Sequence, residues 1–457
     1  MRPETPPNGA RVRPRRAALS LLLLPLAALL VAAAPRGAPA RQQAVSDYDR
    51  ARWRSALGVI KDDIKDNYYD PTFRGKDLDA HFKAAEERIK QAQSLGHIFG
   101  IIAQALLDFE DSHLFFVPPS RSARYDYGWR MQMVGERCFI THVRPGSDAE
   151  AKGVAPGDEI VGIDGYQPTR ENHWKLAYAY YSLRPQPGVR LLLGKPDGKK
   201  QQADVMTKVT QGKRVMDLTG QDLNVYIREM EDDERERRER SRAVEVGEDL
   251  LVWKMATFSM TEPEVDDAMS KARRHKSLVL DLRGNGGGAE KTLLRMLGSV
   301  FDRDVKVGDI RRRKEAKPLV ARTRGGDAFK GELVVLIDSQ SGSAAELFAR
   351  VVQLEKRGTV VGDRSGGAVM RSRFHSHNSG LDVVATYGAS VTDADIVMAD
   401  GNSLEHVGVT PDKPMLPTAA DIAAGRDPVL AYAASLVGVK LEPEKAGTLF
   451  PYKWKKQ

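Results

Sequence analysis

The chain has 457 residues, of which 41% are apolar and 29% charged, enough for two or three domains around a sizeable core and unlike a disordered or fibrous chain. Much of its net charge of +8 lies at the start, where Arg2, Arg11, Arg13, Arg15 and Arg16 face only Glu4, so the basic balance is no signal for nucleic acid. Cys138 is the single cysteine, which excludes an intramolecular disulfide.

Residues 1–40 read as a signal peptide. An Arg-rich stretch precedes an apolar run from Ala17 to Ala34, and small residues end at Ala38-Pro39-Ala40. The run is at the short limit for a membrane span and Pro25 interrupts it, so cleavage before Arg41 is expected. This places the protein in the periplasm or outside the cell, and at a membrane only if the segment is retained.

Residues 41–126 form a helical region. Trp53, Leu57, Ile60 and Ile64 recur at helical spacing and Asp70-Pro71 stops the run. A second run reaches Leu107 through Phe82, Ile89, Ile98 and Ile102. Residues 127–210 change to short strands at 130–134, 138–143, 159–163 and 189–193, with a helix over 170–182. Turn pairs Pro145-Gly146, Pro156-Gly157 and Asp164-Gly165 punctuate them. Tyr125 to Tyr127 read as surface, as do Lys453 to Lys456. The mixed-sign run Arg228 to Arg242 reads as a solvated helix or loop. Residues 211–457 hold alternating strands and helices. Buried strands are expected at 277–282 and 332–337, with strands at 250–258 and 359–362 and helices at 264–274 and 344–354. Continuous apolar strands between helices indicate a parallel α/β core.

Three motifs can carry chemistry. Ser341-Gly342-Ser343-Ala344-Ala345-Glu346 joins a buried strand to a helix. A Ser there is either exposed as a nucleophile, with the next N–H aimed at an oxyanion, or an ordinary helix N-cap. Asp281 to Gly288 ends a strand in three successive glycines, Gly286, Gly287 and Gly288. It suits an oxyanion donor better than a phosphate cradle, because Glu290 follows and no Lys-Ser or Lys-Thr does. Asp111-Ser112-His113 offers a histidine beside a hydroxyl, a candidate general base. His375 and His377 share one side of a probable strand and make a weak metal pair without a third ligand nearby.

In order along the chain, Asp281 to Gly288, Ser341 to Glu346, Thr359-Val360-Val361-Gly362 and Leu404 to Asp412 resemble the C-terminal processing, or tail-specific, serine peptidase family. Gly157 to Gly165, GDEIVGIDG, resembles a PDZ domain. The resemblance implies a ClpP/crotonase-like α/β protease core with an N-terminal helical region and an inserted PDZ-like β-rich domain. Some members use a Ser-Lys dyad, but Ala368 stands where that Lys would be. The tricorn-like branch uses a Ser-His-Ser-Glu tetrad, which assigns Ser343 as nucleophile, His113 as base, Ser112 as its orienting group and Glu405 behind Ser112. His406 departs from the small residue usual after that Glu and is expected to compete for Glu405. The oxyanion donors would be Ala344 and Gly287 or Gly288, with the family match favouring Gly288. The PDZ-like loop at Met131, Gln132, Met133 and Val134 would take an extended peptide by strand addition.

The implied activity is endopeptidic cleavage of protein tails or unfolded polypeptides by acyl transfer. It implies a protein or peptide substrate with a free C-terminus, no metal or other cofactor and no nucleic acid, and it leaves oligomerisation open. The rival is a non-catalytic ligand- or peptide-binding protein on the same fold.

Overall fold

The computed structural model of the chain describes residues 45–121, 123–211, 240–380 and 385–454. The leader at 1–40 and most of the charge run at 228–242 lie outside the described residues.

The central sheet has six strands, in the order Lys413–Pro414, Thr359–Gly362, Glu332–Ile337, Ser277–Asp281, Leu250–Lys254 and Arg242–Val246. Neighbours are parallel except the last pair. Ser277–Asp281 is buried throughout because helices cover both faces. Leu278 and Leu280 point into a core shared with the helices Glu262–Ala272, Glu290–Gly298 and Ala344–Leu354. Val279, between them, points to the opposite core with Val429, Leu430 and Ala433 of the helix Pro428–Leu436.

Asp281 ends the central strand and is completely buried. Burial alone would raise its pKa, but Arg283 and Lys254 outweigh that and hold it ionised well below the carboxylate range. Arg283 donates to Asp281 Oδ1 and Oδ2 at 2.9 Å each and to Asp427 Oδ1 and Oδ2 at 2.9 and 2.7 Å. Removing one partner of such a pair strands the other's charge. Arg283→Ala is therefore expected to lower unfolding free energy by about 3–5 kcal/mol, read by denaturant titration.

A second, five-stranded sheet was not expected. Its path is Phe115–Val117, Ala385–Met398, Val305–Arg311 and Ala316–Ala321, and Met370–Ser379 also pairs with Ala385–Met398. The helical region docks on it. Trp53 meets Phe99 and Tyr387 edge-on at 4.7 and 5.5 Å, and Ile60, Ile102 and Phe116 share one core with Ala389 and Val391. The second helical run is two helices, Leu78–Lys90 and Leu95–Leu107, the latter capped by Ser94. Phe115–Val117 pairs with residues 388–390, which delivers Ser112 and His113 to the core.

The β-rich module is an antiparallel sheet in the order Trp129–Val134, Arg137–Val143, Glu159–Ile163, Gly188–Gly194, Lys200–Met206, with its own core around Met133, Ile140, Leu191 and Val205. A ribbon of Ala123–Asp126 and Lys208–Gln211 brackets it. The helix expected over 170–182 is His173–Tyr178, continued by a π-helical turn at Ala179–Leu183. Tyr127, expected at the surface, is buried, and its hydroxyl donates to the Tyr180 carbonyl.

Candidate active site

Ser343 sits between the strand Glu332–Ile337 and the helix Ala344–Leu354. The intervening turn is fixed by Asp338, whose Oδ1 accepts from Gly284 N and Gln340 N at 2.9 and 3.0 Å. Ser341 Oγ donates to the Leu282 carbonyl at 2.8 Å. The Gly284 and Ser341 bonds tie the serine turn to the neighbouring glycine turn. Ser343 adopts φ 53°, ψ −118°, outside the extended region that a capping residue uses. A residue with a β-carbon pays of order 1–3 kcal/mol for such a conformation, and strain of this kind gathers at functional sites. Ser343 is the N-cap of this helix and its N–H donates to Glu346 at N3 as in a capping box, but its backbone conformation is not that of an ordinary cap.

Glu346 has a part that the sequence reading missed. It is buried and accepts from Ser343 N, Ala368 N, Gly367 N and Ser365 Oγ at 2.9, 3.0, 2.7 and 2.6 Å. Burial pushes its carboxyl up to about 7, against these four hydrogen bonds. It thereby fastens segment 365–368 to the serine turn, and Ser343 N also donates to the Ala368 carbonyl at 2.9 Å. Its place three residues after Ser343, at N3 of the helix, was the available signal.

The glycine turn faces the same point. A β-carbon on Gly287 would lie 2.7 Å from Ser343 Cβ and 3.0 Å from Ala344 N. The two candidate amides differ. Gly287 N donates to Asn285 Oδ1 at 2.9 Å, so it is engaged. Among the described residues, the amides of Gly288 and Ala344 have no hydrogen-bond partner.

The other half of the site comes from the helical region. Ser112 Oγ is 2.8 Å from both Glu405 Oε2 and His113 Nδ1, and Ser112 N donates to Glu405 Oε1 at 2.8 Å. Asp111, itself buried and held by Tyr68 and Thr392, accepts from His113 N. Val369 N donates to Glu405 Oε2 at 2.8 Å, so segment 365–369 bridges the two halves. Burial holds His113 below the ordinary histidine range, against the pull of Glu405 and Asp111. No hydrogen bond joins His113 to Ser343 among the described residues. Such contacts are often loose without substrate.

Compared with known families, residues 249–415 match peptidase family S41. They form a peptidase family S41 domain. A tail-specific protease of Haemophilus influenzae is 24% identical over 356 residues, covering 73% of this chain and 48% of that protein. A chloroplastic C-terminal processing peptidase of Tetradesmus obliquus is 24% identical over 372 residues, covering 76% and 73%. The chain spans about half the length of the Haemophilus relative. Mature CPAF has the same fold, with a TM-score of 0.60 at 14% identity over 82% of this chain and 94% of that one.

The S41 domain supplies Ser343, Glu405 and both glycines, whereas Ser112 and His113 lie outside it in sequence. Its serine turn also holds the β-rich module. Met131 to Val134, expected both in a strand at 130–134 and as the peptide-binding loop, belong to the edge strand Trp129–Val134, which pairs as a hairpin with Arg137–Val143. The open edge of that strand is engaged by the S41 domain. Ser339 Oγ donates to the Met133 carbonyl at 2.5 Å, Gln340 Nε2 to the Met131 carbonyl at 3.3 Å, and Gln132 Nε2 to Asp338 Oδ2 at 2.7 Å. At the hairpin tip, Gly135 N and Arg170 both meet Asp363. A peptide strand could add here only where these contacts open.

His406 is more than half exposed and turns to the Glu110 carbonyl at 2.6 Å. It stands 3.5 Å from Glu405 Oε1, the oxygen that holds Ser112 N rather than Ser112 Oγ. It therefore does not compete for the relay oxygen, Glu405 Oε2. His377 and His375 both face Asp63, at 2.6 and 3.5 Å, and strap the strand Met370–Ser379 to the helix Asp47–Asn67.

Proposed function

We propose that the chain is an exported serine endopeptidase that cleaves protein tails or unfolded polypeptides by acyl transfer. The observation that carries this reading is the strained Ser343 at a helix start, beside two unpartnered backbone amides. In the proposed cycle the Ser343 hydroxyl attacks a peptide carbonyl and His113 Nε2 takes its proton. In this cycle Ser112 accepts from His113 Nδ1–H while donating to Glu405, which leaves Nε2 as the basic nitrogen. The amides of Gly288 and Ala344 hold the oxyanion, and the helix N-terminus adds positive potential there. His113 returns the proton to the leaving amine. Water, deprotonated by His113, then releases the acyl group.

The export reading rests on the leader pattern at 1–40. No helix among the described residues is long and apolar enough to cross a membrane. The free C-terminus as the substrate feature rests on the PDZ-like module and on the names of the two curated relatives.

A covalent fluorophosphonate label on Ser343 tests the enzyme reading. No label under conditions that label a control serine hydrolase would overturn it. The pH profile tests the base. A base must be neutral to accept a proton, and His113 is shifted downward. The acid limb of kcat/KM is therefore expected below about 6.5, the ordinary histidine value, with activity lost as pH falls through it.

A further inference from the structure

A groove of about 1270 Å³ runs between the β-rich module and the S41 domain. Gly286, Gly287 and Gly288 line one part, and Tyr452 and Trp454 another. These two aromatics, of which Trp454 falls in the Lys453 to Lys456 stretch that reads as surface in sequence, lie against the module's edge hairpin. The Tyr452 ring stacks on His142 at 4.1 Å with 30° between planes, and its hydroxyl accepts from Arg130 Nε at 3.1 Å. The Trp454 ring lies under the guanidinium groups of Arg130 and Arg144, at 5.1 and 4.5 Å. Arg130 and His142 are direct cross-strand partners, so they offer one continuous face. Burial, Arg130 and Lys254 bring the His142 imidazole down to about 4, so at neutral pH it is uncharged and can stack.

Among the described residues, the segment is held mainly by its side chains. No backbone amide of residues 450–454 is hydrogen-bonded among the described residues. Among the described residues, the one bond to its backbone is a long one, from Arg242 to the Pro451 carbonyl at 3.5 Å. Pro451, Tyr452 and Lys453 are exposed. An element anchored mainly by side-chain stacking on Arg130, His142 and Arg144 can exchange for another segment that offers aromatic rings to the same groups.

We propose that the face made by Arg130, His142 and Arg144 is a docking site for aromatic polypeptide segments entering the groove, and that residues 450–454 occupy it in cis as a displaceable competitor. This rests on reading the chain as a peptidase of polypeptide substrates. It goes further by naming a side-chain preference, an aromatic residue against Arg130, His142 and Arg144, and a self-derived occupant. A tethered occupant has a high effective concentration, so it masks the face against weak ligands in solution.

The test uses the full chain carrying Ser343→Ala, so that binding is read without turnover. The probe is a fluorescein-labelled peptide of residues 449–457. Its affinity, by fluorescence anisotropy, is expected to be at least tenfold higher in a Tyr452→Ala/Trp454→Ala background than with the native segment. Adding His142→Ala to that background is expected to return it to the weak value. Phe450 keeps its core contacts in these variants, and circular dichroism checks their folding. Equal affinity with and without Tyr452 and Trp454, or binding indifferent to His142, would overturn the proposal and leave the peptidase reading intact. Peptide binding as expected, with no fluorophosphonate labelling of the native serine, would instead overturn the peptidase reading alone.

Discussion

His113→Ala is expected to abolish hydrolysis of a peptide ester, by roughly 10⁴-fold or more, while leaving the fold intact. Among the described residues, the imidazole's one side-chain bond is to Ser112, and the backbone at 113 is held separately by Asp111, so removing the ring does not undo the loop. Ser343→Ala should cost as much. The double variant should be no worse than either, because groups acting as a unit are not additive. Glu405→Gln should cost less on turnover, since it works through Ser112. It still loosens segment 365–369, because Glu405 also accepts from Val369 N. An ester is the right substrate because its leaving group needs no protonation, which isolates the base role in the attack step. Wild-type turnover by His113→Ala would show that another group serves Ser343.

The parallel core was readable because strands buried on both faces are continuous apolar runs. Glu332–Ile337, Ala344–Leu354 and Thr359–Gly362 coincide with the expected bounds. The second sheet was not. Val305–Arg311 mixes a glycine and three charged residues into its pattern, and Met370–Ser379 is half exposed, so neither carries the signature of a buried strand. At the site, the residue types were legible and their states were not. Nothing in the Ser341 to Glu346 motif distinguishes a strained turn from a cap, since both place Ser before a helix. Nothing local separates Gly287 from Gly288 either, because the difference is made by the Asn285 side chain turning back onto one of them. The engagement of the module's edge by Ser339 and Gln340 joins residues more than two hundred positions apart and leaves no periodic trace.

Gly287→Ala is the second substitution with a large expected effect, and it tests the oxyanion turn without touching a titratable group. Gly287 has φ 99°, a conformation that costs a residue with a β-carbon of order 1–3 kcal/mol. Space is the harder limit. The new methyl would stand 2.7 Å from Ser343 Cβ, 2.9 Å from the Gly342 carbonyl and 3.0 Å from Ala344 N. The glycine cannot retreat, because its amide is bonded to Asn285 and its carbonyl accepts from Phe258 N at 2.8 Å. The nucleophile or the Ala344 donor must therefore move, and a misplaced oxyanion donor costs on the order of 10²–10³ in kcat. The expected result is a fall in kcat of that size, with fluorophosphonate labelling slowed in proportion. The unfolding midpoint should move only as far as the backbone strain requires. A folded Gly287→Ala protein with native kcat would mean that the acyl-transfer centre is not built on this turn.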